Sequence, residues 1–284
     1  MSGVNISVVV PFRNEERYMA DCISALQSQS YPRELYEIIM VDNNSSDRSA
    51  AIASRHEGVR LLRESAPGAY AARNRGIAEA RGAIVALTDS DCAPRTDWLE
   101  RIADAMSDPS LQFVQGCARF AAESPGLSSL CDYEGEKAAF VFSSGVREIY
   151  YASANNMAVR RSVFERVGRF TEMQRGADVI FLQRLIAEYS CDAIRHRADV
   201  VVRHLEVTSV PTWFRKLNVY GRSSRQYGRI ASARPLNARE RLQVFLATVR
   251  HRDYSVVRQL QLITLLLIGV VYYEVGRRVG PGPQ

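Results

Sequence analysis

Glycine-rich phosphate loops are missing from this chain. Neither a G-x-G-x-x-G run after a strand nor a G-x-x-x-x-G-K-[ST] loop occurs in its 284 residues. Dinucleotide binding of the Rossmann type and P-loop ATP hydrolysis are therefore unsupported. Cysteine is sparse. Cys22, Cys92, Cys117, Cys131 and Cys191 are widely spaced, odd in number and without zinc-site pairing. Free thiols in a reducing compartment follow. No basic leader and no small-residue cleavage site precede the apolar stretch 4–10, so no secretory signal peptide is expected. Repeats and low-complexity tracts are also lacking.

The composition, 46% hydrophobic and 24% charged, is that of a globular protein. The length suits one large α/β domain, or one domain and an appendage. Charge is distributed unevenly. Residues 206–284 carry 13 Lys and Arg against 4 Asp and Glu, a net of +9. The whole chain is only +6, so the excess belongs to that segment. A basic segment of this kind suits an anionic surface, either lipid headgroups or nucleic acid. No nucleic-acid reading motif accompanies the arginines, so no nucleic-acid partner is expected. The same segment holds an apolar stretch, 260–275, between Arg258 and Arg277-Arg278. Its most apolar part, 262–273, is shorter than the roughly 20 residues that span a bilayer. It would lie in or re-enter the interface, or else pack on the rest of the protein.

Hydrophobic patterning alternates between strand and helix. Strands are expected at 6–10, 37–41, 59–62 and 83–88, and helices at 17–28, 47–56 and 69–80. Ser45 or Ser46 is the expected N-cap of the second helix. Alternation of this kind implies a mostly parallel central sheet flanked by helices. Ligands of such sheets bind beyond the carboxyl ends of the strands. Pro11 to Glu15, Asp42 to Asp47 and Asp89-Ser90-Asp91 all fall at those ends.

Each segment carries matching chemistry. Asp89 and Asp91 offer hard oxygen ligands for Mg²⁺ or Mn²⁺, although an isolated Asp-x-Asp is also a common solvated turn. Asp42 either accepts hydrogen bonds from a nucleobase or ribose, or caps the turn that follows it. Arg13 and Arg73 present planar donor forks to phosphate or base oxygens; a surface role for Arg73 is the alternative. Asp178 precedes Val179-Ile180-Phe181-Leu182, which places it at a helix N-terminus where a carboxylate is held comfortably, as a functional group or simply as a cap. His204 ends an apolar run and serves either a metal site or the strand end itself.

The ordered motifs Val9-Val10-Pro11-Phe12-Arg13-Asn14-Glu15-Glu16, Val41-Asp42-Asn43-Asn44-Ser45-Ser46-Asp47, Ala72-Arg73-Asn74-Arg75-Gly76 and Asp89-Ser90-Asp91 resemble family 2 glycosyltransferases, inverting enzymes of GT-A fold. Asn155-Asn156-Met157-Ala158-Val159-Arg160-Arg161 and Gly176-Ala177-Asp178-Val179-Ile180-Phe181 continue the likeness. It covers about residues 4–205. The resemblance implies that Pro11, Arg13, Glu15, Asp42, Arg73 and Asp89 line the donor nucleotide pocket. It implies a metal site of Asp91, Asp89 and His204, with Asp91 the direct ligand. Asn155 and Asn156 would border sugar and acceptor, and Arg222 or Arg225 would serve the leaving group. Asp178 stands at the position of the catalytic base. The family commonly has two adjacent acids there, whereas this chain has Ala177-Asp178.

The resemblance thus implies a domain of residues 1–205, with a nucleotide-binding half to about 95 and an acceptor half beyond. Residues 206–284 would form a basic, partly apolar helical extension. The implied activity is metal-dependent transfer of one sugar per encounter from a nucleoside-diphosphate sugar, UDP-linked in the favoured case, to a glycan or lipid-linked acceptor. Gln183-Arg184-Leu185 lacks the spacing and the Trp of the Gln-x-x-Arg-Trp motif of processive synthases. The expected location is cytoplasmic, peripheral at the inner face of the cell membrane. A nucleotidyltransferase of related fold and a catalytically silent membrane-surface adaptor are the alternatives. The first lacks its basic, Gly-rich N-terminal loop. The second is disfavoured by intact Asp42, Asp89, Asp91 and Asp178.

Overall fold

The computed structural model describes residues 3–121, 124–227, 230 and 233–279. Its strands are β1 (Ile6–Phe12), β2 (Tyr36–Asp42), β3 (Val59–Arg63), β4 (Ile84–Thr88), β5 (Cys92–Pro94), β6 (Phe113–Phe120), β7 (Asn156–Arg160) and β8 (Ile194–His204). Its helices are α1 (Glu16–Gln27), α2 (Ser49–Ala53), α3 (Ala69–Glu79), α4 (Trp98–Ala105), α5 (Pro125–Ser143), α6 (Arg161–Val167), α7 (Ala177–Tyr189), α8 (Val210–Tyr227), α9 (Ala238–His251) and α10 (Val256–Val279).

The chain divides into two compact units. The first holds residues 1–118 and 151–205; the second holds 119–150 and 206–284. Residues 119–150 were expected in the first domain. They group with the second because α5 turns Leu127, Leu130 and Tyr133 into a core shared with Trp213, Phe214, Val244 and Leu262. A helix contributed to a distant core leaves no local trace in the chain, so the boundary at 118 was not visible.

In the first unit the strands run in the order β3-β2-β1-β4-β7-β6-β8-β5. The first four are parallel, with β1 between β2 and β4. β7 then pairs antiparallel with both β4 and β6, and β5 pairs antiparallel with β8. Every residue of β1 is buried. That continuous apolar run reflects cover on both faces. On one side Val8, Val10, Ile38 and Met40 meet Met19, Ile23 and Leu26 of α1. On the other, α3 lies so close that a Cβ on Gly76 would overlap the Val9 side chain.

Some boundaries differ from expectation. β1 continues through Pro11, which is in register with Val41, to Phe12. Pro11 lies beyond the segment of β1 that pairs with β4. Its missing N–H is therefore tolerated. α2 is a short helix whose N-cap, Arg48, makes no side-chain cap bond. The Ser45 hydroxyl accepts from Asn14 N at 3.1 Å, and Ser46 N donates to Asn14 Oδ1 at 2.8 Å. These bonds to the neighbouring loop displace the expected cap.

In the second unit α10 is 24 residues long, about 36 Å. It is long and apolar enough to cross a membrane by length and composition. This corrects the expectation of a segment too short to span. Val256 and Val257 extend the apolar helix ahead of Arg258, and the helix continues past Glu274 to Val279.

Close approach also fixes the turn into β4. A Cβ on Gly82 would lie 2.6 Å from Ser7 N and 2.8 Å from Asn5 O, both backbone atoms that cannot swing aside. Gly82→Ala is expected to lower stability by about 1–3 kcal/mol in urea unfolding. An unchanged midpoint would contradict this packing.

Candidate active site

The carboxyl ends of β1, β2 and β4 lie side by side because β1 separates the other two. This is the switch point at which open α/β sheets bind ligands. Two loops there are stitched together by backbone donors. Glu15 N donates to Ser49 Oγ at 2.8 Å, and Glu16 N to Asp47 Oδ2 at 3.1 Å. Asn14 and Asn44 take left-handed backbone angles, with φ of 56° and 62°. Asp42 is buried, and its Oδ1 accepts from Ser45 N at 3.0 Å, so its turn-capping role is present. Asn43 reaches across to the next loop through Glu64 O, Ala66 O and Gly68 N. Pro11 is buried at this edge, Arg13 is exposed and Glu15 is partly buried.

The run Ala72-Arg73-Asn74-Arg75-Gly76 lies on α3 and does three separate jobs. Gly76 permits the approach to β1. Asn74 clamps Phe170 by a reciprocal pair, donating to Phe170 O at 2.9 Å and accepting from Phe170 N at 3.0 Å. Arg73 is buried, not a surface arginine, and pairs through Nη2 with Asp89 Oδ1. Burial works against its charge. Asp89, Tyr70 and Asp178 outweigh that and hold its pKa above the usual arginine value.

Tyr70 was missed by sequence reasoning. It sits one turn before Arg73 on α3, and its ring lies 5.0 Å from the Arg73 guanidinium carbon. Its hydroxyl hydrogen-bonds Asp178. The signal was the i, i+3 spacing, which puts both side chains on one helix face.

Asp178 lies in the first turn of α7, where the N-cap position is Gly176 in the left-handed region. It is thus not the cap. Oδ1 accepts from Val179 N at 3.0 Å and Oδ2 from Ala154 N at 3.3 Å. Burial raises its pKa above the ordinary Asp value, while the Tyr70 bond and the Arg73 charge act the other way. A carboxylate so placed is a better proton acceptor than one free in water.

The two acids of Asp89-Ser90-Asp91 part company. A turn between β4 and β5 separates them, with Cys92 N donating to Asp89 O at 3.1 Å. Asp89 faces Arg73. Asp91 faces His204, whose Nδ1 lies 3.5 Å from Asp91 Oδ2. The β5–β8 ladder sets this contact by pairing Cys92 with His204, and Leu205 N donates to Asp91 O at 2.7 Å. Among the described residues, Asp91, Cys92 and His204 bring ligand atoms within 4.8 Å of one another. The Asp91 carboxylate suits Mn²⁺ or Mg²⁺, whereas the His204 imidazole is a softer ligand that suits a transition metal better than Mg²⁺. A thiol suits these ions poorly, and Cys92 Sγ instead donates to Asp91 Oδ1 at 3.6 Å. Asp89, expected in the metal set, is not part of this group.

Asn155 and Asn156 also separate. Asn155 is partly buried at the head of β7, where its Oδ1 accepts from Ser153 Oγ at 2.9 Å. Asn156 is 0% exposed. Its Oδ1 accepts from Trp98 Nε1 at 2.8 Å, and its Nδ2 donates to Cys117 O and Val200 O at 2.9 Å. The expectation that Asn156 borders sugar and acceptor is therefore corrected. Its amide is used up tying the sheet to α4. Arg222 lies partly buried on α8 of the second unit. The Arg225 side chain lies outside the described residues.

A family model, glycosyl transferase family 2, matches residues 7–168. The chain belongs to that family. The match ends before Asp178 and His204. The glycosyltransferase AglE of Haloferax volcanii is 32% identical over 185 residues, covering 63% of this chain and 60% of that protein. The chain thus spans less than two thirds of that relative's length. Among solved structures, a Pyrobaculum calidifontis mannosyltransferase in complex with GDP-Man and Mn²⁺ matches 94% of this chain and 74% of its own. Its TM-score is 0.63 at 19% identity. Staphylococcus aureus TarS in complex with UDP-GlcNAc matches 95% and 82%, with a TM-score of 0.57 at 17% identity. These likenesses show the fold, which is the GT-A arrangement expected from the motifs.

The two asparagines give a direct check. Asn156→Ala removes the acceptor of a buried indole N–H and a donor to each of two carbonyls. It is expected to cost about 2–4 kcal/mol in denaturant unfolding, against under about 1 kcal/mol for Asn155→Ala. Equal costs would return Asn156 to the list of ligand-facing residues.

Proposed function

We propose that this chain transfers a sugar, with inversion, from a UDP-sugar to a hydroxyl of a glycan or lipid-linked acceptor. The observation that carries this reading is the placement of Asp178. It is a carboxylate with a raised pKa, oriented by two backbone N–H groups and Tyr70, beside an arginine that also holds Asp89.

In this reading an Asp178 oxygen takes the proton of the acceptor hydroxyl as that oxygen attacks the anomeric carbon. The bond from that carbon to the diphosphate breaks on the opposite face, and the nucleoside diphosphate departs with the bonding pair. Tyr70 and the backbone donors of Ala154 and Val179 fix the carboxylate's orientation. They compensate for the acidic neighbour that Ala177 replaces. Asp42, Pro11, Arg13 and Glu15 line the nucleotide end, and Arg73 steadies the acidic cluster around the donor. Asp91 and His204 would hold a divalent cation, which supplies charge neutralisation for the departing diphosphate. Asn155 borders the sugar. Transfer adds one sugar per encounter. The acceptor is met on the cytoplasmic side, at an anionic membrane surface that the +9 segment favours.

Two measurements test this. Asp178→Asn is expected to lower turnover by about 10²–10⁴-fold while leaving donor binding intact. The raised pKa means that the folded state holds the Asp178 proton more tightly than the unfolded one does. The stability this contributes is present below the unfolded pKa and is lost as pH rises through the folded value. Asn removes that loss, so the variant should be no less stable than wild type at pH 7. Retained turnover would remove Asp178 as base. For the donor site, UDP, GDP and dTDP are compared by thermal shift with and without Mn²⁺. A Mn²⁺-dependent rise with UDP is expected, abolished in Asp91→Ala. A rise with GDP alone would change the carrier, and no rise with any would overturn donor binding.

A further inference from the structure

The second unit presents an apolar surface that charge alone does not explain. Leu262, Gly269 and Gly276 of α10 are buried. They form one narrow stripe at seven-residue spacing, facing the rest of that unit. Close packing shapes the stripe. A Cβ on Gly276 would overlap the Asn218 carbonyl of α8, and one on Gly221 would overlap the Tyr273 carbonyl of α10. Pairing of helix backbones through glycine is the mode favoured where lipid, not water, surrounds the pair.

Leu265 and Leu266 also pack on the core of that unit, but the opposite face of α10 is bare. Leu260, Ile263, Leu267, Ile268, Val270 and Val271 are all exposed, Leu267 at 64% and Val271 at 60%. At 3.6 residues per turn they fan over roughly 160° of the circumference. The one hydroxyl within that fan, Thr264, is satisfied inside the helix by donating to Leu260 O at 2.9 Å. An interfacial helix would show a polar face to water here. No charge occurs between Arg258 and Glu274.

We infer that the bare face of α10 is buried in the hydrocarbon of a lipid bilayer, so that the protein is held by apolar insertion and not by surface charge alone. Lipid fits this face better than a second copy of the chain. A helix seam covers a stripe of about 100°, narrower than the bare fan. The ends agree. Arg277 and Arg278 close one end of the helix beside Tyr272 and Tyr273, as basic and aromatic residues do at headgroup level. The net charge of +9 across 206–284 complements anionic lipid and adds to the insertion. The inference replaces peripheral attachment with an anchored state, and it is independent of the chemistry in the first unit.

Flotation of the full chain tests it with two vesicle types, phosphatidylcholine alone and phosphatidylcholine with phosphatidylglycerol. Binding to both is expected to survive about 1 M NaCl, where surface charge is screened within about 3 Å. Leu267→Glu with Val271→Glu should weaken binding to neutral vesicles by more than about tenfold. Both positions face outward, so circular dichroism and unfolding should match wild type. Arg277→Gln with Arg278→Gln should weaken binding to the anionic vesicles alone. Complete release by salt would reduce the contact to electrostatics and overturn insertion. Absence of flotation with a dimer in light scattering would assign the face to a second copy. UDP binding, read separately on the same samples, reports on the first unit and is unaffected by either outcome.

Discussion

A buried cation organises the candidate site. Arg73 has lost nearly all contact with water, and an isolated guanidinium in that position would be costly. Its charge is met by Asp89 directly, with Asp178 and the Tyr70 ring close by. Because Arg73 is on α3, Asp89 follows β4 and Asp178 is on α7, one side chain ties three elements at the carboxyl edge of the sheet. Removing Asp89 would leave the buried guanidinium without its direct counter-charge. The arrangement is thus a constraint on the whole edge and not a local contact.

That constraint explains why the two acids of Asp89-Ser90-Asp91 have different partners. Asp89 ends β4 and is held by Arg73; Asp91 opens β5 and meets His204 across an antiparallel ladder. A sequence motif presents them as an equivalent pair. The intervening turn makes them inequivalent, giving one to the protein's own cation and leaving the other beside an imidazole. Their separation was not legible in the chain, because it depends on the β5–β8 register, and β8 lies more than 100 residues away.

Much of the first unit was legible. The strands β1 to β4 announce themselves as short apolar runs that end in polar clusters, and those clusters do meet at one edge. What failed was local detail decided by distant partners. Ser45 and Ser46 carry cap chemistry, yet Asn14 claims them. Asn155 and Asn156 read as one polar pair, yet Asn155 ends a turn and Asn156 opens β7. Asn156 turns into the core under Trp98, and Asn155 stays at the strand's head. Tyr70 carried no motif, and its helical spacing to Arg73 gains meaning only once both side chains meet Asp178. The unit boundary was hidden for the same reason, since α5 resembles any helix until its partners in α8, α9 and α10 are in place.

The two units answer to different solvents. In the first, polar groups at the sheet edge are paired inward, and a carboxylate is kept reactive by partial withdrawal from water. In the second, α10 satisfies its one central hydroxyl internally, packs by glycine against α8 and turns Leu262, Leu265 and Leu266 into the core, while its opposite apolar face is exposed. A surface that would be a liability in water is consistent with every local feature of the helix that carries it: the internal Thr264 bond, the absence of charge between Arg258 and Glu274, and the close backbone approach at Gly221 and Gly276. Of these, the uncharged stretch beside an exposed apolar face is the one that a helix surface in water does not favour. Together they are what the proposed insertion of α10 into lipid requires.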